Sequence, residues 1–186
     1  MSSGGALRVV LGDQISDGRI SSLTDVDRAR DLILFAEVRE EATYVPHHRQ
    51  KIALVFAGMR GFAERLQAAG INVRYVRLDD PDNTHSLSGE IRRALAQGSF
   101  ERVIITEPGE WRLREAFETL RATLPVPKDI REDDRFICSH RTFRNWTSGK
   151  TQLRMENFYR HMRERTGLLM ADGKPVGGRW NFDTEN

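Results

Sequence analysis

Two runs, LRVVL (7–11) and LILFAEV (32–38), are apolar at all but one position each. A strand with one face in water alternates apolar and polar residues. A continuously apolar run is buried on both faces, as in a parallel sheet covered by helices on either side. VRYV (73–76) and RVIIT (102–106) read as two further strands. Between the second and third strands, Ile52, Val55, Phe56, Met59, Phe62, Ala63 and Leu66 recur at spacings of three and four, which predicts a long helix ended by Gly70. SLSGEIRRALAQG and WRLREAFETLRATL supply two more helices, the latter with Leu113, Phe117, Leu120 and Leu124 on one stripe. Strand–helix alternation over residues 1–124 predicts an α/β fold: a doubly wound parallel sheet with right-handed crossovers.

The texture changes at LPVPKDIREDDRF (124–136), rich in proline and charge, which reads as a domain edge. We assign residues 1–130 to the α/β domain and 131–186 to a basic, helical extension. In that extension LRMENFYRHMRERTG (153–167) is the predicted helix, while DGKPVGGRWNFDTEN reads as turns without a closing helix or strand. Hydrophobic residues make up 39% of the 186, enough for a real core. No apolar run approaches the roughly 18 residues that span a bilayer, and the start lacks a signal-like core, so the expectation is a cytoplasmic protein that does not engage membranes. A monomer is expected.

In doubly wound sheets ligands sit beyond the carboxyl ends of the strands. Those positions are acidic here: Gly12-Asp13-Gln14 after the first strand, Glu37 at the end of the second, Glu107 after the fourth, with Glu41 and Tyr44 one helical turn apart after the second. Carboxylates repel phosphates but accept hydrogen bonds from the N–H groups of a neutral heterocycle or from ribityl hydroxyls. Capping of helices is the plainer explanation of any one of them; as a set they favour a planar, uncharged ligand. Neither G-x-G-x-x-G nor G-x-x-x-x-G-K-[ST] occurs, which removes the main support for a dinucleotide or P-loop site. His47-His48 and Cys138-Ser139-His140 lack the ligand number of a metal centre, and we assign no metal ligand and no nucleophilic cysteine. The net charge of +2 advertises no nucleic-acid partner for the chain as a whole. Residues 139–165 differ, with seven basic side chains against two acidic ones, interleaved with Phe143, Trp146, Phe158 and Tyr159. That pattern fits a phosphate-tracking surface or a solvated helix with one docked face.

LGDQIS, AEVREEATYVPHHRQKIA, YVRLDDPDN, VIITEPGEWR, DDRFICSH, MENFYRHMRERTGLLM and GKPVGGRWNFDTEN together resemble the deoxyribodipyrimidine photolyase-related family, the bacterial iron–sulfur (6-4) photolyase and cryptochrome branch. The resemblance runs the length of the chain, in order. It implies a light-dependent DNA-repair lyase in which a Rossmann-like N-terminal domain carries an antenna, 6,7-dimethyl-8-ribityllumazine, and a helical C-terminal domain carries FAD, a [4Fe-4S] cluster and most of the surface for damaged DNA. This sequence reaches Asn186 inside the family's connecting segment. It holds one cysteine, where the cluster needs four thiolates. The expectation is therefore an antenna-binding part without the flavin and cluster domain, having no catalytic residue of its own and weak or no DNA binding. By resemblance the antenna pocket is lined by Gly12, Asp13, Gln14, Glu37, Val38, Glu41, Tyr44 and Val55, while Asp183 falls where the connecting loop nears the lesion entrance. Val55 is equally explained as helix core. The alternatives are a stand-alone heterocycle- or nucleotide-binding module and a cryptochrome-like photoreceptor fragment without repair activity.

Overall fold

The computed structural model describes residues 4–16 and 20–182, so Asp183 lies outside the described residues. The chain divides into two compact units, Met1–Phe136 and Ile137–Asn186. In the first, β1 (Gly5–Val9), β2 (Leu32–Ala36), β3 (Val73–Val76), β4 (Phe100–Thr106) and β5 (Lys128–Arg131) form one sheet in the order β3-β2-β1-β4-β5. All four pairings are parallel, and Leu7 of the central strand lies opposite Leu32 on one side and Val103 on the other, with a one-residue irregularity against β4 between Gly5 and Ala6. The doubly wound sheet expected from the apolar runs is therefore present.

The connections are α1 (Arg39–Thr43) and α2 (Arg49–Ala68) between β2 and β3, α3 (Leu87–Gln97) before β4, and α4 (Trp111–Arg121) before β5. Strand alternation divides the core between the two faces. Leu7, Val9, Leu32, Leu34, Val103 and Ile105 pack with Ile91 of α3 and Phe117 of α4. Ile33 and Phe35 point the other way, onto Met59, Phe62 and Ala63 of α2. The central strands β1 and β2 are thus buried on both faces, which is why their sequences do not alternate.

The charge inside β1 is accommodated by a local network. Arg8 is buried, donates to Asp31 at 2.7 Å and to the carbonyls of Ser22 and Thr24 at 2.9 and 2.7 Å, and so ties the strand to the segment that follows it. Two sequence expectations need correction. KDIR, read as part of a proline- and charge-rich domain edge, is the edge strand β5; an edge strand is half-covered and tolerates charge, which hides it in the sequence. The stretch after residue 167 also contains strands. In the second unit, α5 (His140–Thr147) and α6 (Met155–Thr166) are followed by a hairpin of β6 (Met170–Ala171) and β7 (Lys174–Pro175). Its two turn residues, Asp172 and Gly173, have φ of 50° and 72°, the left-handed pair that a tight hairpin turn requires.

Within that second unit the aromatic residues of the basic segment face one another. Phe143, Trp146 and Phe158 have ring centroids 4.9–5.9 Å apart, and His161 stacks on Trp146 at 6.1 Å. Arg163 is 4% exposed, its guanidinium lying over the rings of Tyr159 and Trp180 and donating to the Leu169 carbonyl. Arg160 is paired with Glu156. Arg165 donates to the Ile137 carbonyl at 3.4 Å, and Lys150 Nζ lies 5.0 Å from the Trp146 ring centroid. At least four of the seven cations counted in the sequence are therefore already engaged inside the unit.

Candidate functional site

The strand order reverses between β1 and β4, because the chain winds outward through β2 and β3 and then returns to the far side of β1. Crevices form at the carboxyl ends of strands at such a reversal. A cavity of about 210 Å³ lies there, walled by Val10 and Leu11 after β1, Ala36 at the end of β2 and Val38 just before α1, Val55, Phe56 and Met59 of α2, and Leu113 of α4. Its polar groups are Asp13, Glu41, Tyr44, His47, Lys51 and Glu110. The volume falls below the roughly 300–1,000 Å³ of sites for drug-sized ligands, so the cavity suits a small ring system and is too small to enclose a dinucleotide.

Gly12 allows the loop after β1 to lie against α2. A Cβ at this position would stand 2.9 Å from Val55 Cγ1 and 3.1 Å from Met59 Sδ, closer than side chains tolerate. Asp13 is at the rim, its backbone carbonyl accepting from Arg135. Although the residue keeps an exposed flank, the protein around its carboxyl excludes water and raises its pKa above the usual carboxylate range, with Arg135 opposing and Asp133 and Glu110 adding to the rise.

Glu41 and Glu110 are held by one side chain. Arg112 donates from Nη1 and Nη2 to the two Glu41 oxygens at 2.9 and 2.7 Å, and from Nη2 to Glu110 Oε2 at 3.1 Å. The same guanidinium lies 4.1 Å from the Tyr44 ring centroid, and Tyr44 donates its hydroxyl to Glu110 Oε1 at 2.9 Å. The bonds to Glu41 and Glu110 hold Arg112 above its ordinary pKa. His47 lies edge-on to Tyr44 with centroids 5.1 Å apart, and its Nδ1 is 3.4 Å from Lys51 Nζ. His48 has a separate task, its ring accepting from the Gln50 N–H at the start of α2.

Of the eight residues drawn from the sequence, the structure brings six to the cavity: Gly12, Asp13, Val38, Glu41, Tyr44 and Val55. Gln14 and Glu37 are elsewhere. Gln14 is buried, donating to the Thr106 carbonyl at 3.1 Å and accepting from the Leu11 N–H at 3.2 Å, so it fastens the end of β1 to that of β4. Glu37 is also fully buried and accepts from Arg60 at 2.6 and 2.8 Å, from the Tyr75 hydroxyl at 2.6 Å and from the Leu78 N–H at 2.9 Å. Burial alone would raise its pKa; the four donors outweigh burial and hold it below the ordinary value. Glu107 pairs with Arg114 at 3.1 Å and does not reach the cavity. Glu110 and Arg112 were missed. The rule that picked out Glu107 directly after the fourth strand would have found them had it been carried three to five residues further, through EPGEWR.

Fold and cavity together define a class: a doubly wound α/β domain with a small, apolar-walled, acid-rimmed pocket at its topological switch point. Residues 8–186 match the profile of the deoxyribodipyrimidine photo-lyase-related proteins, and the chain belongs to that family. A (6-4) photolyase of Agrobacterium fabrum (strain C58 / ATCC 33970) is 50% identical over 180 residues, which cover 97% of this chain and 35% of that protein. The chain thus spans about a third of the length of this curated relative. Among the described residues, no helix is long and apolar enough to cross a membrane.

Proposed function

We propose that this chain is the antenna-holding part of a light-dependent lyase that repairs (6-4) photoproducts in DNA, and that its cavity binds 6,7-dimethyl-8-ribityllumazine. The reading rests on the family membership, on the relative described as a (6-4) photolyase, and above all on the character of the cavity. Its walls are aliphatic, aromatic and thioether groups suited to a flat ring. Its rim offers carboxylates, and the loop after β1 lacks the glycine-rich backbone that cradles a pyrophosphate. Val38, Val55 and Met59 would sandwich the ring, Gly12 would leave space for its edge, and Asp13 and Glu41 would accept from its polar groups or the ribityl chain. When bound, a lumazine supplies absorption of near-ultraviolet and violet light and transfer of that energy to a flavin.

The chain's own residues exclude water from the ring and fix its orientation. The four thiolates of a [4Fe-4S] cluster cannot all come from this chain, which holds one cysteine. Damaged DNA is the partner of the complete enzyme. The chain alone meets DNA weakly, as a monomer and without repair. The test is an absorbance and fluorescence titration of the purified chain with the lumazine. Saturable binding with a shifted band, weakened about 10- to 100-fold in Asp13→Ala, supports the reading. No uptake of the lumazine refutes it, and tighter binding of a nucleotide in the same titration favours a general heterocycle-binding module.

A further inference from the structure

We propose that Arg112 is a positioning residue for this pocket: it holds α1 in place as one of the cavity walls without itself lining the cavity. The inference rests on the pocket being a ligand site, as read above, and on a feature of α1 that the reading did not use. This helix has five residues, none of them buried, and its first residue follows Val38 without a side-chain cap. A single turn of helix does not hold its own shape. Yet Glu41 and Ala42 of α1, with Tyr44 just past its end, form part of the cavity lining.

The position of that wall must therefore come from outside α1. One backbone bond contributes, from the Glu40 N–H to the His85 carbonyl at 3.1 Å. The side-chain hydrogen bonds from Glu41 and Tyr44 lead to the start of α4, while the Tyr44 ring also meets His47. Arg112 grips both oxygens of Glu41, its guanidinium covers the Tyr44 ring, and Tyr44 donates to Glu110. The planar fork matters, because two parallel donors fix the carboxylate's orientation where a single ammonium would not. Neutralisation matters as well. Glu41 and Glu110 share this cation, so two carboxylates can flank one small cavity without driving α1 outward.

Arg112→Gln and Arg112→Lys test the role, in the full chain. Without any ligand, amide hydrogen exchange over residues 40–44 is expected to quicken about tenfold in Arg112→Gln and less in Arg112→Lys, while β1, β2 and β4 keep their protection. Unchanged exchange at 40–44, or an equal rise throughout the sheet, would overturn the proposal. With 6,7-dimethyl-8-ribityllumazine bound, the dissociation rate is expected to rise about tenfold in Arg112→Gln and to be partly restored in Arg112→Lys. An unchanged rate despite loosened α1 would also overturn it. If the parent chain takes up no lumazine, the proposed ligand is wrong, and the exchange measurement alone decides whether Arg112 holds the wall.

Discussion

Replacing Glu37 with glutamine separates a ligand contact from a structural carboxylate, because the sequence and the structure give this residue different tasks. Glutamine keeps the shape but turns one of the two acceptor oxygens into a donor. In the fold all four groups aimed at Glu37 are donors, two from Arg60 and one each from Tyr75 and the Leu78 N–H. The variant must set donor against donor at least once and leaves the Arg60 charge without its partner. Removing one member of a fully buried pair costs about 3–5 kcal/mol. Arg60 is 38% exposed and can turn to water, so the lower end, about 3 kcal/mol, is the expected loss. For a unit of this size that corresponds to a fall of roughly 10 °C in Tm. The pH dependence follows from the depressed pKa of Glu37. Its stabilisation is present above the carboxyl's ordinary value of 4.5 and is lost as pH falls through the lowered folded value. The gap between parent and variant should therefore be full at neutral pH and close in acid. Urea melts at a series of pH values measure this, and a lumazine titration of the folded variant completes the test. A variant that melts like the parent but fails to bind would refute the structural assignment and return Glu37 to the pocket.

Asp13→Asn should act in the opposite sense. The raised pKa of Asp13 means that its ionised form is disfavoured in the fold, so the variant's stability relative to the parent should grow as pH rises above the ordinary 3.8 and through the raised value, read from urea midpoints. Gly12→Val should lose about 1–3 kcal/mol by overpacking against Val55 and Met59, and should bind no lumazine even where calorimetry finds it folded. For DNA, Arg163, Arg160 and Arg165 are held by hydrogen bonds or an ion pair within the second unit, leaving at most four cations of residues 139–165 for phosphates. Fluorescence anisotropy should then give a log–log salt slope no steeper than about −3.6, with no preference for a (6-4) lesion, and a steeper slope would show that other surfaces take part. Arg163→Ala should lower the Tm without flattening that slope, because its cation bonds carbonyls and rings of its own unit.

The sequence by itself determined the sheet and most of the elements around it. Runs such as LILFA can be stable only when buried on both faces, and that burial demands helices on either side whatever the rest of the chain does. It also pointed to the carboxyl ends of the strands, where the cavity lies, because that expectation follows from topology; the uncharged, planar ligand expected there rests on the type of residue after each strand. Alternation, applied one residue further, would have parted Val38 from Glu37. Ala36 and Val38 share one side of β2 and its continuation, while Glu37 falls on the other, where Arg60 and Tyr75 wait. What only the tertiary structure decided is which polar groups remain available to a ligand. Glu41 meets Arg112 across 71 residues, and Gln14 meets Thr106 across 92. Pairings at that separation are made by the docking of whole elements, which brings the start of α4 against α1 and the end of β4 against the loop after β1. No local pattern encodes them, because a carboxylate that caps, one that is paired and one that is free have the same side chain until the fold supplies, or withholds, a donor.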